Sequence, residues 1–113
     1  MLDTFLANLK QQPATVQFAD TMQVIEDNYV FTETEFKNGD TVNAAGQNNG
    51  SCKVFAFAQI HQLNPEQTLA LFGDYYRKDV LENPQGDDHQ NIRNFIQYGW
   101  QGIEFKGQAL TAK

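Results

Sequence analysis

The chain has 113 residues, of which 41% are hydrophobic, so it can bury one core, and we expect a single domain covering residues 1–113. Its formal net charge is −6 and its 8 basic residues are spread thinly. This argues against a nucleic-acid partner, because phosphate binding requires clustered Lys and Arg. The sequence contains no signal-peptide pattern and no run of 18 apolar residues, so we expect no membrane partner and a cytoplasmic location.

Two amphipathic helices are predicted before residue 30. In the first, apolar residues recur at intervals of three and four, and Pro13 limits the helix. In the second, Thr15 is placed to cap the N-terminus of the helix, and another apolar stripe follows. Both stripes indicate faces buried in the core. They consist of Leu2, Phe5, Leu6 and Leu9 in the first helix and of Phe18, Met22, Ile25 and Tyr29 in the second.

The helical period is lost over residues 30–50. Thr32 and Glu35 have the spacing of a capping box, which predicts a short helical turn ending near Phe36. Asn38-Gly39 predicts a tight turn, because both residue types tolerate positive φ. A polar loop, Gly46-Gln-Asn-Asn-Gly50, follows. Such loops often only connect elements, but loops beside rigid elements also carry sites.

Ser51 is a favourable N-cap for a helix that runs to about Gln62. Apolar side chains at residues 54–58 and at Ile60 place hydrophobic groups on every side of this helix. A helix that is apolar all round is usually buried. We therefore predict that this is the central helix and that the other helices pack around it.

The next helix has the clearest start signal in the chain. Asn64 is a good N-cap, Pro65 suits the first helical position, and the Gln67 side chain can bond back to the cap. The apolar face continues across Gly73. Either one helix covers residues 65–82, or two short helices meet at that glycine.

One more helix and a pair of strands are predicted in the remaining chain. Asp87 is a suitable N-cap, with Gln90 three residues later, and Gly99 suits the C-terminal end. The residues of this helix that we expect to face inward are Ile92, Phe95 and Ile96. Residues 103–110 then predict a short β-hairpin with its turn at Lys106-Gly107.

These elements together predict a mainly α fold, with a small α+β fold as the alternative. We expect a compact helical bundle around the buried central helix, with a minor C-terminal β-hairpin. The chain shows no internal repeat and no interdomain linker.

Cys52, the only cysteine, lies at or next to the first position of the predicted central helix. It excludes an intramolecular disulfide and fits a reducing compartment. A helix N-terminus and the nearby Lys53 favour the thiolate, and His89 is the best candidate for a general base, oriented by Asp87, Asp88 or Asn91. The alternative is that Cys52 is a small buried residue, since free cysteine is among the most buried residue types.

Neither a phosphate loop nor a metal site is predicted. The segment from Gly46 to Lys53 has three residues between its glycines where a Walker A loop has four, and it does not end in Gly-Lys-Ser/Thr. Cys52, His61 and His89 lack the spacing of zinc ligands. We therefore expect no metal and no cofactor.

Several segments, taken in order along almost the whole chain, make it similar to the HopJ type III effector family. They are Phe18-Ala-Asp-Thr-Met22, Phe36-Lys-Asn-Gly-Asp40, Asn43-Ala-Ala-Gly-Gln-Asn48, Gly50-Ser-Cys-Lys53, Phe72-Gly-Asp-Tyr-Tyr-Arg77, Asp79-Val-Leu81, Asp88-His-Gln-Asn-Ile-Arg93 and Gly99-Trp-Gln-Gly-Ile-Glu-Phe105. The resemblance implies a bacterial protein that is cytoplasmic in the bacterium or delivered by a type III secretion system. It does not imply a reaction.

Three hypotheses for function follow from the residues and the resemblance. The first is a non-catalytic effector or binding domain that takes a small molecule or a segment of a host or bacterial protein. The second is a cysteine-dependent hydrolase or acyl transferase that uses Cys52 and His89, and the third is an interaction protein in which the polar loop only packs. The sequence gives no oligomeric state. The predicted binding residues are Asn43, Gln47, Asn48, Ser51, Lys53, Asp88, Asn91 and Arg93.

Overall fold

The first two helices form where the apolar stripes predict them, except that Tyr29, the last residue of the second stripe, lies in a strand. In the computed structural model, which describes residues 2–113, α1 covers Leu2–Gln11 and α2 covers Phe18–Asn28. Thr15 does not cap α2, so that prediction was wrong. Its hydroxyl instead donates to the Gln12 carbonyl at 2.8 Å, inside the 3₁₀ turn Pro13–Thr15 that joins the two helices.

Five strands of three residues each form two small antiparallel sheets. One sheet has the order β3-β2-β4 and the other pairs β1 with β5. The strands are β1 Tyr29–Phe31, β2 Phe36–Asn38, β3 Thr41–Asn43, β4 Ile103–Phe105 and β5 Leu110–Ala112. The architecture is therefore mainly helical with two small sheets.

The helical turn expected from Thr32 and Glu35 was wrong, because residues 32–35 are irregular and lead into β2. The Glu35 carbonyl accepts a hydrogen bond from the Lys106 N–H at 3.0 Å, and Phe36 is fully buried. Pairing with a distant strand therefore overrides the local capping signal.

The predicted C-terminal hairpin was also wrong, although both of its strands exist. β4 pairs with β2, with Phe105 opposite Phe36, whereas β5 pairs with β1, with Leu110 opposite Phe31. The Phe36 and Phe105 rings stack at 5.5 Å, and Leu110 is buried elsewhere in the core. The two strands separate because each one covers a different part of the hydrophobic core.

α3 covers Asn49–Ile60 and begins two residues before the predicted cap Ser51. Burial of the helix was correctly predicted along most of its length, but Ile60 is exposed. Its buried residues are Cys52, Val54, Phe55, Ala56, Phe57 and Ala58. The other helices and both sheets contribute side chains to the same core.

Phe55 is the residue of α3 with the most aromatic neighbours. Its ring centroid lies 5.1 Å from that of Phe95, 5.5 Å from Phe72, 6.1 Å from Phe36 and 6.4 Å from Trp100. Pairs at these separations add stabilisation beyond the area that they bury. A single helical residue thus contacts a strand, the helix that contains Phe95, the turn that contains Phe72 and the 3₁₀ segment that contains the tryptophan.

α4 covers Pro65–Ala70 and starts with the predicted capping box. The Asn64 Oδ1 accepts from the Gln67 N–H at 2.7 Å, and the Gln67 Oε1 accepts from the Asn64 N–H at 3.1 Å. A π-helical segment, Tyr75–Val80, follows after Gly73, where φ is +62°. The structure therefore has two short helical segments that meet near Gly73, and not one helix over residues 65–82.

α5 covers Gln90–Tyr98, and Gly99 ends it with a φ of +64°, as predicted. Its N-cap is His89 rather than Asp87, so the predicted cap was wrong. Ile92 and Phe95 are buried as predicted, but Ile96 is 48% exposed, so the prediction that it faces inward was wrong. The other buried residues of α5 are two asparagines, Asn91 and Asn94.

No helix within residues 2–113 is both long enough and apolar enough to cross a membrane.

The tight turn between β2 and β3 requires glycine. The φ of Gly39 is +64°, and its N–H donates to the Gly102 carbonyl at 2.9 Å. A Cβ at this position would lie 2.3 Å from the Cδ2 atom of Tyr98. The prediction of a turn at Asn38-Gly39 is confirmed.

Replacing Gly39 with alanine should lower the free energy of unfolding by at least about 1 kcal/mol, because a left-handed conformation strains a residue with a Cβ and the ring must move. Chemical denaturation of the wild type and of Gly39→Ala measures the difference. Gly107→Ala is the matched control, since a Cβ there would lie 3.7 Å from Thr34. Equal losses from both substitutions would contradict the role given to Gly39.

Candidate functional site

A reciprocal pair of asparagine side chains joins β3 to α5. The Asn91 Nδ2 donates to the Asn43 Oδ1 at 3.0 Å, and the Asn43 Nδ2 donates to the Asn91 Oδ1 at 3.1 Å. Asn43 is 1% exposed and Asn91 is 6% exposed. Both predicted residues therefore lie under the surface, where they connect the end of β3 to the first turn of α5.

Asn38 and Asn94 extend this pair into a buried amide network that sequence reasoning missed. The Asn38 Nδ2 donates to the Asn91 Oδ1 at 3.0 Å, and the Asn94 Nδ2 donates to the Thr41 Oγ1 at 2.9 Å. The Asn38 Oδ1 is buried without a partner among residues 2–113. The available signal was the spacing of Asn91 and Asn94, which places both on one helix face with Ile92 and Phe95.

The network also positions the start of α3. The Asn48 Nδ2 donates to the Asn43 Oδ1 at 2.7 Å, and Asn48 is the N-cap of α3 with a φ of +53°. His89, the N-cap of α5, has a φ of +50°. Two residues other than glycine thus hold left-handed backbone conformations immediately before helices, and such strained residues often occur at functional sites.

A cleft of about 480 Å³ lies between the starts of α3 and α5. Three aromatic side chains, Phe18, Phe72 and Tyr75, form one part of its lining. The two helix starts form the other part, with Asn48, Gly50, Ser51, His89, Gln90, Asn91 and Ile92. The structure therefore brings together four of the predicted site residues, namely Asn48, Ser51, His89 and Asn91.

Gln47, Lys53 and Asn43 do not line this cleft. Gln47 is exposed, and its Oε1 accepts from the Ala44 N–H at 3.1 Å. The Lys53 Nζ lies 4.9 Å from the centroid of the Phe31 ring. Asn43 supports the cleft only through Asn48 and Asn91.

Asp79, which the sequence did not single out, is the nearest partner of His89. The His89 Nε2 lies 3.1 Å from the Asp79 Oδ2 and 3.9 Å from the Asp88 Oδ2. Asp88, one of the three residues proposed to orient His89, therefore lies near the imidazole but farther from it than Asp79 does. The Tyr75 ring packs on the imidazole with a centroid separation of 5.1 Å.

Arg93 and Asp88, both predicted binding residues, hold the loop before α5. The Arg93 Nη1 donates to the Asn83 carbonyl at 2.9 Å, and its Nη2 donates to the Asp88 carboxylate. The hydrogen bond from Arg93 holds the pKa of the Asp88 carboxyl below its ordinary value. These two residues do not line the cleft but fix the segment that presents His89.

Cys52 faces the core. It is the fourth residue of α3 rather than the first or second, is 1% exposed, and its N–H donates to the Asn48 carbonyl at 3.0 Å. Its thiol donates to the Thr34 carbonyl at 3.6 Å. Burial raises the pKa of the Cys52 thiol and the Lys53 charge opposes that shift, so the environment favours the unreactive protonated form.

The HopJ type III effector protein family matches residues 2–110 of the chain. The chain belongs to the HopJ type III effector family. A crystal structure of VPA0580, described as an unknown function protein, shares 55% sequence identity with it. The two superpose with a TM-score of 0.99, over 100% of this chain and 94% of that one. The comparison with curated proteins found no match.

Membership in the HopJ family confirms the resemblance seen in the sequence, and it assigns no reaction. The geometry does not favour the alternative of a hydrolase or acyl transferase built on Cys52 and His89. His89 lines the cleft, whereas the Cys52 thiol lies in the core and donates a hydrogen bond to the Thr34 carbonyl. Among residues 2–113, no group of three His, Cys, Asp or Glu side chains is arranged to hold a metal ion.

Cys52 of this HopJ protein should react with iodoacetamide at least 10-fold more slowly in the native state than in guanidinium at the same pH, because the buried thiol ionises less readily. The folded-state pKa is raised, so the thiol stabilises the fold below its unfolded pKa of about 8.5, and this contribution is lost as pH rises through the folded-state value. Alkylation rates from pH 6 to 10 measure the difference. Rapid native alkylation with an apparent pKa below 8.5 would restore the catalytic alternative.

Proposed function

We propose that this HopJ protein is a non-catalytic binding domain whose ligand occupies the cleft between the starts of α3 and α5. The ligand is a small molecule or a short segment of a host or bacterial protein. One observation carries the proposal: residues 43–53 and 87–93, which are distant in sequence, meet at one cleft through the Asn43–Asn91 pair.

The polar groups around the cleft support this proposal, because several have no partner within residues 2–113. The Asn48 Oδ1, the Ser51 hydroxyl and the Nδ1 atom of His89 make no hydrogen bond within residues 2–113. Ligand sites combine apolar walls with a few polar groups that fix orientation. The cleft has this composition, with three aromatic side chains facing the polar helix starts.

The buried position of Cys52 supports binding over catalysis. A cysteine nucleophile must be accessible and deprotonated, and its base must lie within hydrogen-bond reach. Cys52 is almost completely buried, and its backbone N–H already donates a hydrogen bond to the Asn48 carbonyl. The cleft therefore lacks the nucleophile that the catalytic hypothesis assigned to it.

The binding proposal predicts that small fragments perturb the cleft amides. When the full chain is screened against a fragment library by ¹H–¹⁵N spectra, the amide chemical-shift changes should concentrate at residues 48–51 and 89–92. Tyr75→Ala should weaken fragment binding at least 10-fold, because it removes part of the aromatic wall. Tyr98→Ala is the matched control, because Tyr98 is comparably exposed and lies outside the cleft. Fragment affinities that are unchanged by the Tyr75→Ala substitution would overturn the proposal.

We further propose that the protein is made in the bacterial cytoplasm and delivered through a type III secretion system. The family to which it belongs supports this inference. A reporter enzyme fused to the C-terminus should enter co-cultured host cells only from a strain with a working type III system. An isogenic secretion-deficient strain is the control, and equal host-cell signal from both strains would contradict type III delivery.

A further inference from the structure

The side chains that line the cleft include no carboxylate, ammonium or guanidinium group. The ten lining residues include no Asp, Glu, Lys or Arg. They are either aromatic or bear amide, hydroxyl or imidazole groups, apart from Gly50 and Ile92. In a chain with 22 charged residues (14 acidic and 8 basic), a concave surface without them indicates a ligand that is itself uncharged.

The charged groups near the cleft already have hydrogen-bond partners. The Arg93 guanidinium binds the Asp88 carboxylate, and the Asp79 carboxylate binds His89. No Lys or Arg side chain lines the cleft to bind an anionic ligand, and the Asp79 carboxylate behind His89 disfavours one. A cationic ligand finds no carboxylate in the lining.

Tyr75 is the most exposed member of the aromatic wall. It is 44% exposed, and its ring makes a T-shaped contact with Phe18 at a centroid separation of 5.0 Å and an interplanar angle of 66°. Packing from Phe18 on one side and from His89 on another holds the Tyr75 ring in place. The face of an aromatic ring is electronegative, so it attracts polarised C–H groups such as those on one side of a sugar ring.

The polar side of the cleft is suited to ligand hydroxyl groups. The His89 Nε2 donates to the Asp79 carboxylate at 3.1 Å, which leaves Nδ1 for a ligand hydroxyl. Asn48 donates its amide to Asn43, which leaves Oδ1 as an acceptor. Ser51 can both donate and accept. Hydroxyl groups satisfy all three positions because each one donates and accepts.

We propose that the cleft binds an uncharged carbohydrate, with one sugar ring against Tyr75 and its hydroxyls on Asn48, Ser51 and His89. This inference rests on the proposed binding function and names the ligand class of the same site. The cleft volume of about 480 Å³ falls within the range of small-molecule sites. The chemistry on both walls thus points to the same type of ligand.

The test is a set of ¹H–¹⁵N titrations of the full chain with methyl glucoside, methyl galactoside, N-acetylglucosamine, maltose and cellobiose. At least one neutral sugar should shift the amides of residues 48–51 and 89–92. Its 6-phosphate and its 2-amino derivative should bind at least 10-fold more weakly. Tyr75→Ala should lower the affinity at least 10-fold, whereas Tyr75→Phe, which keeps the ring, and Tyr98→Ala should retain it.

The outcomes separate this inference from the binding proposal. Fragment binding in the cleft with no response to any of the five sugars would overturn the carbohydrate inference and leave the binding function in place. Tighter binding of the phosphorylated sugar, or of adenosine used as a planar aromatic probe, would also overturn it. An absence of any response in the cleft, from fragments and sugars alike, would overturn both proposals.

Discussion

The reciprocal hydrogen bonds between Asn43 and Asn91 are the interaction on which the rest of the site depends. A hydrogen bond contributes only about 1 kcal/mol net, but a buried amide that loses its partner costs about 1–3 kcal/mol. Because both amides are buried, neither β3 nor α5 can move without leaving polar atoms unpaired. The pair therefore fixes the helix starts that form the cleft, and the Asn48 side chain bonds to the same Asn43 oxygen.

Local signals predicted the helices well and the strands poorly, for a physical reason. The capping box at Asn64 and Gln67 consists of neighbouring residues, so the sequence contains the whole interaction. A strand of three residues has too little alternation to recognise, and its hydrogen bonds come from far along the chain. Residues 103–110 show the result, because their strand character was predicted but their partners were not.

The candidate site was predicted in location but not in detail. Ser51 and Cys52 are adjacent in α3, and consecutive helical residues point about 100° apart, so one lines the cleft and the other enters the core. Starting the helix at Ser51 instead of Asn49 changed the expected position of Cys52. Capping preferences favour Ser51 and Asp87, whereas the amide network and the loop held by Arg93 place Asn48 and His89 at the helix starts.

The interleaved sheets give the C-terminal strands a role in the order of assembly. β1 and β2 emerge early in synthesis, yet their partner strands β5 and β4 lie 65–83 residues further along. Until β4 and β5 have been synthesised, β1 has no partner strand and β2 has only β3. Closing such long loops is slow, so the hydrophobic core is completed only after residues 103–112 have joined it.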